Sequence, residues 1–376
     1  MLLLRWLPTV LLLVPWLVGP LTPSNDERIR DLAGGVSFRL LDWETVHLAQ
    51  RATRLWQGLI GTGAAVREDD ARLLREYFRP GAQRAQQRSS VEAALERVVT
   101  SAYEEQGLPR SEPVRSDRLF PPVLVTLNSP PNVLVISPRT ELRVTGSVVL
   151  QGMDTAAQER LEASADSTGV ASLVAPIGGL ATYPSMVLEE DTAERVLTSV
   201  AHEWLHQYLI FYPLGAGYWN RQETREINET TADLVGQEIG SELARRYELR
   251  RPASARSAPT QPPRFDFRAF MGATRLHVEE LLVAGQVEPA EAYMDGQRDE
   301  LQRHGYTIRK LNQAYFALYG SYGGGPAASP ANPVPDLLRH LRERSDSLAD
   351  FVFQVRDVTT VDQLRAVVAH SEHRPG

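Results

Sequence analysis

The chain predicts a predominantly helical α+β fold in which a small sheet lies beside one strongly apolar helix, and three observations point that way. Apolar residues recur at helical spacing through most of the sequence. Short β-branched runs cluster between Val123 and Leu188, and turn-forming residues separate them. The 376 residues and 43% hydrophobic content suit a folded protein of two or three packed units.

Residues 1–21, MLLLRWLPTVLLLVPWLVGPL, carry one positive residue, Arg5, ahead of an apolar run from Trp6 to Leu21. They are expected to be a signal anchor or a signal peptide. The run is short for a spanning helix and holds Pro8, Pro15 and Pro20, yet Leu17-Val18-Gly19 before a proline is a poor cleavage site, so an uncleaved anchor is favoured. Arg5 on the N-terminal flank keeps that end cytoplasmic. The rest of the chain is then extracytoplasmic, anchored to the membrane or secreted if the segment is cut.

Residues 22–120 read as a helical N-terminal region, with Leu40, Leu41, Trp43, Val46, Leu48 and Leu55 among polar residues and helical spacing in Ala71 to Phe78 and Val91 to Tyr103. The pattern changes in residues 121–248. Strands are expected at Val123–Leu127, Val133–Ile136 and Leu142–Val144, and a further pair, Ala171–Ile177 and Thr182–Leu188, flanks Gly178-Gly179. Asp191-Thr192-Ala193-Glu194 has the spacing of a capping box and should start a helix carrying Val196, Leu197, Val200, Ala201, Trp204, Leu205 and Leu209. That helix should break near Pro213-Leu214-Gly215, and a second should run from about Glu223 to Tyr247. Residues 249–264, rich in Pro, Ser, Ala and Arg, read as a linker or mobile loop. Residues 265–376 form a helical C-terminal region interrupted by a Gly- and Pro-rich stretch from Gly320 to Pro335.

The net charge of -7 is spread along the chain without a basic patch, which argues against nucleic acid as a partner. With no cysteine there are no disulfides, thiolate ligands or cysteine nucleophiles. Any transition metal must rest on His and carboxylate.

His202-Glu203-Trp204-Leu205-His206 puts two imidazoles at i and i+4, on one face of the predicted helix, where both can reach a single ion. Glu203 sits about 100° around the helix, close enough to contact a metal-bound water as a general base without being a ligand. Catalytic zinc usually takes three protein ligands and leaves a position for water. Two downstream carboxylates qualify: Glu226, 20 residues after His206, and Glu229, 23 after it. Glu229 has the better context, because Asp233 lies one turn further on the same face and can accept a hydrogen bond from the outer nitrogen of a ligating His. The plain role for Glu226 is a solvated helix charge beside Arg221 or Arg225. The segment after His206 lacks the Gly and third His of a metzincin.

HEWLH followed by NETTAD resembles the gluzincin metallopeptidases over about 35 residues. The resemblance implies a zincin-like catalytic core with a small sheet beside the HExxH helix, Zn2+ as cofactor and a peptide or protein substrate. His202, His206 and Glu229 match the ligands, Glu203 the catalytic carboxylate and Asp233 the residue behind a ligand. The chain departs from the thermolysin-like spacing by three residues and has no GAMEN sequence, which leaves endo- against exopeptidase action open. Such enzymes place an edge strand beside the metal helix for an extended substrate, and Gly178 and Gly179 would let a peptide backbone approach there, although a tight hairpin turn explains them equally well.

An oxyanion donor could come from the stripe Tyr306, Asn312, Tyr315, Phe316, Tyr319 and Tyr322 or from His277 or His304, but core packing is the simpler role of that stripe and no residue is assigned. Two rival readings are an inactive, membrane-anchored zincin-like binding or scaffold protein, and a zinc hydrolase acting on a non-peptide bond. Only catalysis requires Glu203, so its presence favours an enzyme.

Overall fold

The computed structural model describes residues 31, 33–60, 65–82, 84–108, 119–129, 131–190, 192–249, 265–320 and 325–372. Helices α1 (Leu40–Gln50), α2 (Ala52–Ile60), α3 (Asp70–Tyr77) and α4 (Arg88–Glu105) come first. Strands β1 (Val125–Asn128), β2 (Asn132–Pro138) and β3 (Gly146–Leu150) lead to α5 (Thr155–Asp166), then β4 (Val170–Pro176), β5 (Gly179–Leu180) and β6 (Ser185–Leu188). The remainder is helical: α6 (Ala193–Leu209), α7 (Pro213–Ala216), α8 (Gln222–Arg246), α9 (Phe267–Val283), α10 (Val287–Arg303), α11 (Gln313–Tyr319), α12 (Val334–Arg344), α13 (Leu348–Val355) and α14 (Val361–Glu372). The fold is α+β and mostly helical.

The strands make two three-stranded sheets rather than one. In the first, with order β1-β6-β5, β1 runs parallel to β6 and β5 antiparallel to it. The second, β3-β2-β4, is wholly antiparallel. Consequently Ala171–Ile177 and Thr182–Leu188 are not partners, and Gly178-Gly179 is no hairpin turn. The chain crosses there from one sheet to the other, and Gly179 pairs with Val187 inside β5. The third strand lies at residues 146–150, not at Leu142–Val144, because the chain loops before it: Ser137 Oγ donates to the Glu141 carbonyl at 2.9 Å and accepts from Arg143 N at 3.3 Å.

Three of the four sheet edges are covered. On the outer edge of β1, Val125 N donates to Glu96 Oε1 and Leu127 N to Glu92 Oε1, each at 3.0 Å, from carboxylates one turn apart on α4. Arg51, 2.5 Å from Glu92, and Arg54, 3.0 Å from Glu96, balance their charge. The outer edge of β4 repeats the device with α5: Ser172 N donates to Asp166 Oδ1 at 2.8 Å and Val174 N to Glu162 Oε1 at 2.5 Å. Arg309 and Lys310 are the counter-ions there, at 2.6 and 2.7 Å. On β3, Phe38 N donates to Val149 O and Gln151 N to Val36 O, both at 2.8 Å, so a short upstream segment runs along that edge. Among the described residues β5 alone has an open side.

One hydrophobic core joins α3, α4, β1 and β6 to α6, α8 and α12–α14, with Leu74, Leu95, Val125, Val187, Trp204, Ile239, Leu338 and Phe351 inside it. Helices α9–α11 pack on one another through Met271, Val278, Met294, Leu301 and Phe316. The second sheet is buried on both faces: Leu134, Ile136 and Val174 meet Leu161 and Ala165 of α5, while Val133, Val135 and Leu173 meet Ala314 and Tyr315 of α11. The first core takes in elements from both sides of residue 121 and from the last three helices. No helix among the described residues is long and apolar enough to cross a membrane. The expected anchor at 1–21, nearly all of the 249–264 linker, Asp191 of the capping box and Tyr322 lie outside the described residues.

Candidate metal centre

Helix α6 begins at Ala193, with Thr192 in the N-cap position. It is held on its buried side by hydrogen bonds to two loops and to α4. Trp204 Nε1 donates to Pro121 O at 2.8 Å, Tyr103 OH to Ala201 O at 2.8 Å, and Gln207 Nε2 to Thr182 O at 2.5 Å. Those contacts fix the rotation of α6 about its axis and turn His202 and His206 towards α8.

Glycine sets the separation of α6 and α8. A Cβ at Gly240 would stand 2.2 Å from Thr198 Oγ1 and 2.7 Å from Thr198 N, and one at Gly236 would stand 2.8 Å from Thr198 O. Only a residue without a side chain permits that approach. Glu229 and Asp233 lie on the same side of α8 as these glycines and so come against the two histidines.

Nε2 of His202 and Nε2 of His206 are 3.0 Å apart, and Glu229 Oε2 is 3.5 Å from the first and 3.6 Å from the second. A tetrahedral ion with bonds of about 2.0–2.1 Å separates its ligand atoms by about 3.3 Å, so the three atoms are spaced as such an ion requires. Among the described residues this is the cluster of His, Asp and Glu able to hold a metal.

The outer nitrogens decide what the inner ones can do. His202 Nδ1 is 3.1 Å from Asp233 Oδ1, and His206 Nδ1 is 2.7 Å from Asn228 Oδ1. Asn228 Nδ2 donates to Leu214 O at 3.2 Å, which orients the amide with its oxygen towards His206. Both Nδ1 atoms are therefore donors, and in the neutral rings both Nε2 atoms present lone pairs. Tyr218 OH donates to Glu229 Oε1, while Glu229 Oε2 is buried without a hydrogen-bond partner and faces the two lone pairs. Three acceptors converging without a proton repel one another unless a cation lies between them.

Without an ion the same convergence favours a proton on His202, the positive charge a bound cation would replace. Burial opposes charge on His202, yet hydrogen bonds to Asp233 and Glu229 and the charges of Glu203 and Asp233 hold its pKa well above the usual imidazole value. Burial would likewise raise Glu229, but the neighbouring His206 and His202 bring its pKa well below the ordinary carboxylate value. Burial raises Glu203, partly offset by the same two histidines.

Glu203 is buried and makes no hydrogen bond to a described residue. Its carboxylate lies against β5: a Cβ on Gly179 would be 2.1 Å from Glu203 Oε1. Gly178 behaves differently. It is exposed, and a Cβ there would meet nothing within 4 Å.

Glu226 is not in the cluster, and its partners are neither Arg221 nor Arg225. It accepts from Gln222 Nε2 at 3.1 Å and Asn332 Nδ2 at 3.2 Å. The aromatic stripe of the C-terminal region also lies elsewhere: Tyr315 and Tyr319 pack on the second sheet, and Phe316 sits in the core of α9–α11. His277 is 3.3 Å from Glu280, and His304 is stacked on Phe265. The sequence reading missed Asn228 and Tyr218 as parts of the site. Asn228 adjoins Glu229 in the NETTAD segment and was available to be asked which histidine it faces, whereas Tyr218 lies between α7 and α8 and carried no spacing signal.

Comparison of the chain with family models, with curated proteins and with solved structures returns no match.

Proposed function

We propose that the chain is a zinc-dependent metallopeptidase with a zincin-like core. The observation that carries this reading is the convergence of His202 Nε2, His206 Nε2 and the unpartnered Glu229 Oε2 within 3.6 Å of one another, beside a Glu203 carboxylate that makes no hydrogen bond to a described residue. Two nitrogens and a carboxylate oxygen are a donor set that suits zinc. Zinc held there supplies Lewis-acid polarisation of a carbonyl and a water acidic enough to ionise near neutral pH.

Glu203 takes the proton of the attacking water and passes it to the leaving amine as the peptide bond breaks. Its raised proton affinity suits a group that must accept and then release that proton. Asp233 and Asn228 keep the two rings in the tautomer that leaves Nε2 free. The open side of β5 offers backbone groups to an extended peptide beside Glu203, and Gly179 leaves room for the carboxylate. The apolar run at residues 1–21 supports a site outside the cytoplasm, on a membrane-anchored or secreted protein.

Purified protein should contain about one zinc per chain and cleave members of a peptide library. Glu203→Gln should keep the zinc and lose cleavage, while His202→Ala and Glu229→Ala should lose the zinc in elemental analysis. Cleavage by Glu203→Gln at the wild-type rate would sink the mechanism.

A further inference from the structure

Arg225 lies four residues before Glu229 on the same face of α8 and is 8% exposed, yet no carboxylate among the described residues pairs with it. Its acidic neighbours on the helix are all engaged elsewhere. Glu223 accepts from Val361 N at 3.0 Å, Glu226 from Gln222 and Asn332, and Glu229 from Tyr218 while facing the histidines. The Nε of Arg225 is buried with no acceptor. Its contacts are two aromatic faces, with the guanidinium carbon 5.3 Å from the Tyr218 ring centre and 5.1 Å from that of Trp219.

Those rings tie the cation to the metal centre. Tyr218 touches Glu229 through its hydroxyl, and its ring centre is 6.0 Å from that of His206. Trp219 stands edge-on to Tyr218 at 4.8 Å and leaves 40% of its surface exposed. A guanidinium taken largely out of water is costly without an anion, and cation–π contacts offset only part of that cost. Held by flat rings and unspent on any carboxylate among the described residues, it is preorganised for an incoming one.

We propose that Arg225 is the anchor for a carboxylate of the substrate, with Trp219 as the exposed apolar surface beside it. This rests on the peptidase reading and narrows it to peptides that present a carboxylate near the cleaved bond. A free C-terminus and an acidic side chain share that chemistry. Arg225 acts in binding and takes no part in bond cleavage.

The test uses the full-length protein and matched peptides, each ending in a free acid or an amide, and each with an internal Glu or Gln near the scissile bond. Wild type should prefer one carboxylate-bearing member of a pair by about tenfold or more in kcat/KM, the scale of a charge-assisted hydrogen bond. Arg225→Gln should erase that preference chiefly through KM, and Arg225→Lys should restore part of it. Preference in the acid–amide pair identifies the C-terminus, and preference in the Glu–Gln pair identifies a side chain. Binding to zinc-loaded Glu203→Gln, followed by quenching of tryptophan fluorescence, gives a second readout that needs no turnover, and there too the carboxylate-bearing peptide should bind about tenfold more tightly. Glu203-dependent cleavage with equal rates in both pairs, or a preference that survives Arg225→Gln, overturns the role of Arg225 and leaves the peptidase reading standing. If no peptide is cut, the peptidase reading fails, and equal binding of all four peptides then removes the anchor as well.

Discussion

Gly179 and Glu203 share one space: the volume a side chain at position 179 would fill is already held by the Glu203 carboxylate, 2.1 Å from where a Cβ would be. Gly179→Ala must therefore push the carboxylate aside. Because the displaced atoms end a flexible side chain, the fold should lose little, within about 1 kcal/mol, while peptide cleavage should fall at least tenfold as the base leaves its position. Zinc content should stay at the wild-type level. Gly178→Ala, which meets nothing within 4 Å, is the control, and kcat for the two variants separates the positions.

Asn228 sets the tautomer of His206 through the 2.7 Å contact to Nδ1. Removing the amide oxygen in Asn228→Ala frees that ring to turn or to place its proton on Nε2, so zinc affinity should fall by about 10–100-fold. Competition with a chelator of known affinity measures it. Unchanged affinity would show that His206 is oriented by something else.

Much of the candidate metal centre's geometry was readable because one helix repeat carries it. His202, Glu203 and His206 lie within a single turn and a half, and Glu229 and Asp233 are one turn apart on a second helix, so sequence spacing fixes which side chains share a face. The contact from Asn228 to His206 depends on how α6 and α8 cross, a matter of Gly236 and Gly240 meeting Thr198, and no spacing reports that. The two sheets were hidden for a related reason. Residues Val133–Ile136 are apolar throughout because α5 covers one face of the sheet and α11 the other, which removes the alternation that would have assigned partners.

Glu44 on α1 accepts a hydrogen bond from Tyr183 N at 3.0 Å, and its second oxygen is buried without a partner. Burial raises its pKa to about 7, against the backbone hydrogen bond that lowers it. The folded state therefore holds a proton on Glu44 that the unfolded chain releases near its ordinary value of 4.5, and the resulting stability is present below that value and lost as pH rises to about 7. Glu44→Gln cannot ionise. Relative to wild type its thermal midpoint should rise between pH 5 and pH 8, by an amount equivalent to at most about 3 kcal/mol. A constant difference across that range would show that Glu44 does not titrate there.

Glu92 holds a strand amide with one oxygen and Arg51 with the other. Glu92→Ala strands the Leu127 N–H and leaves Arg51 buried without its counter-ion, so unfolding free energy should drop by about 3–5 kcal/mol. Asp362, exposed and paired with Arg365 at the surface, should cost under about 1 kcal/mol when changed to Ala. Urea denaturation of the two variants compares them directly.

The paired carboxylates of α4 and α5 also bear on how copies of the chain meet. A bare strand edge is a template on which a second molecule can add its own strand, the first step towards aggregates. Glu92 with Glu96 and Glu162 with Asp166 fill two such templates, and residues 36–38 shield a third. Among the described residues, self-association through sheets is thereby confined to a two-residue strand, too short to seed a growing assembly, so one edge can stay open without becoming sticky.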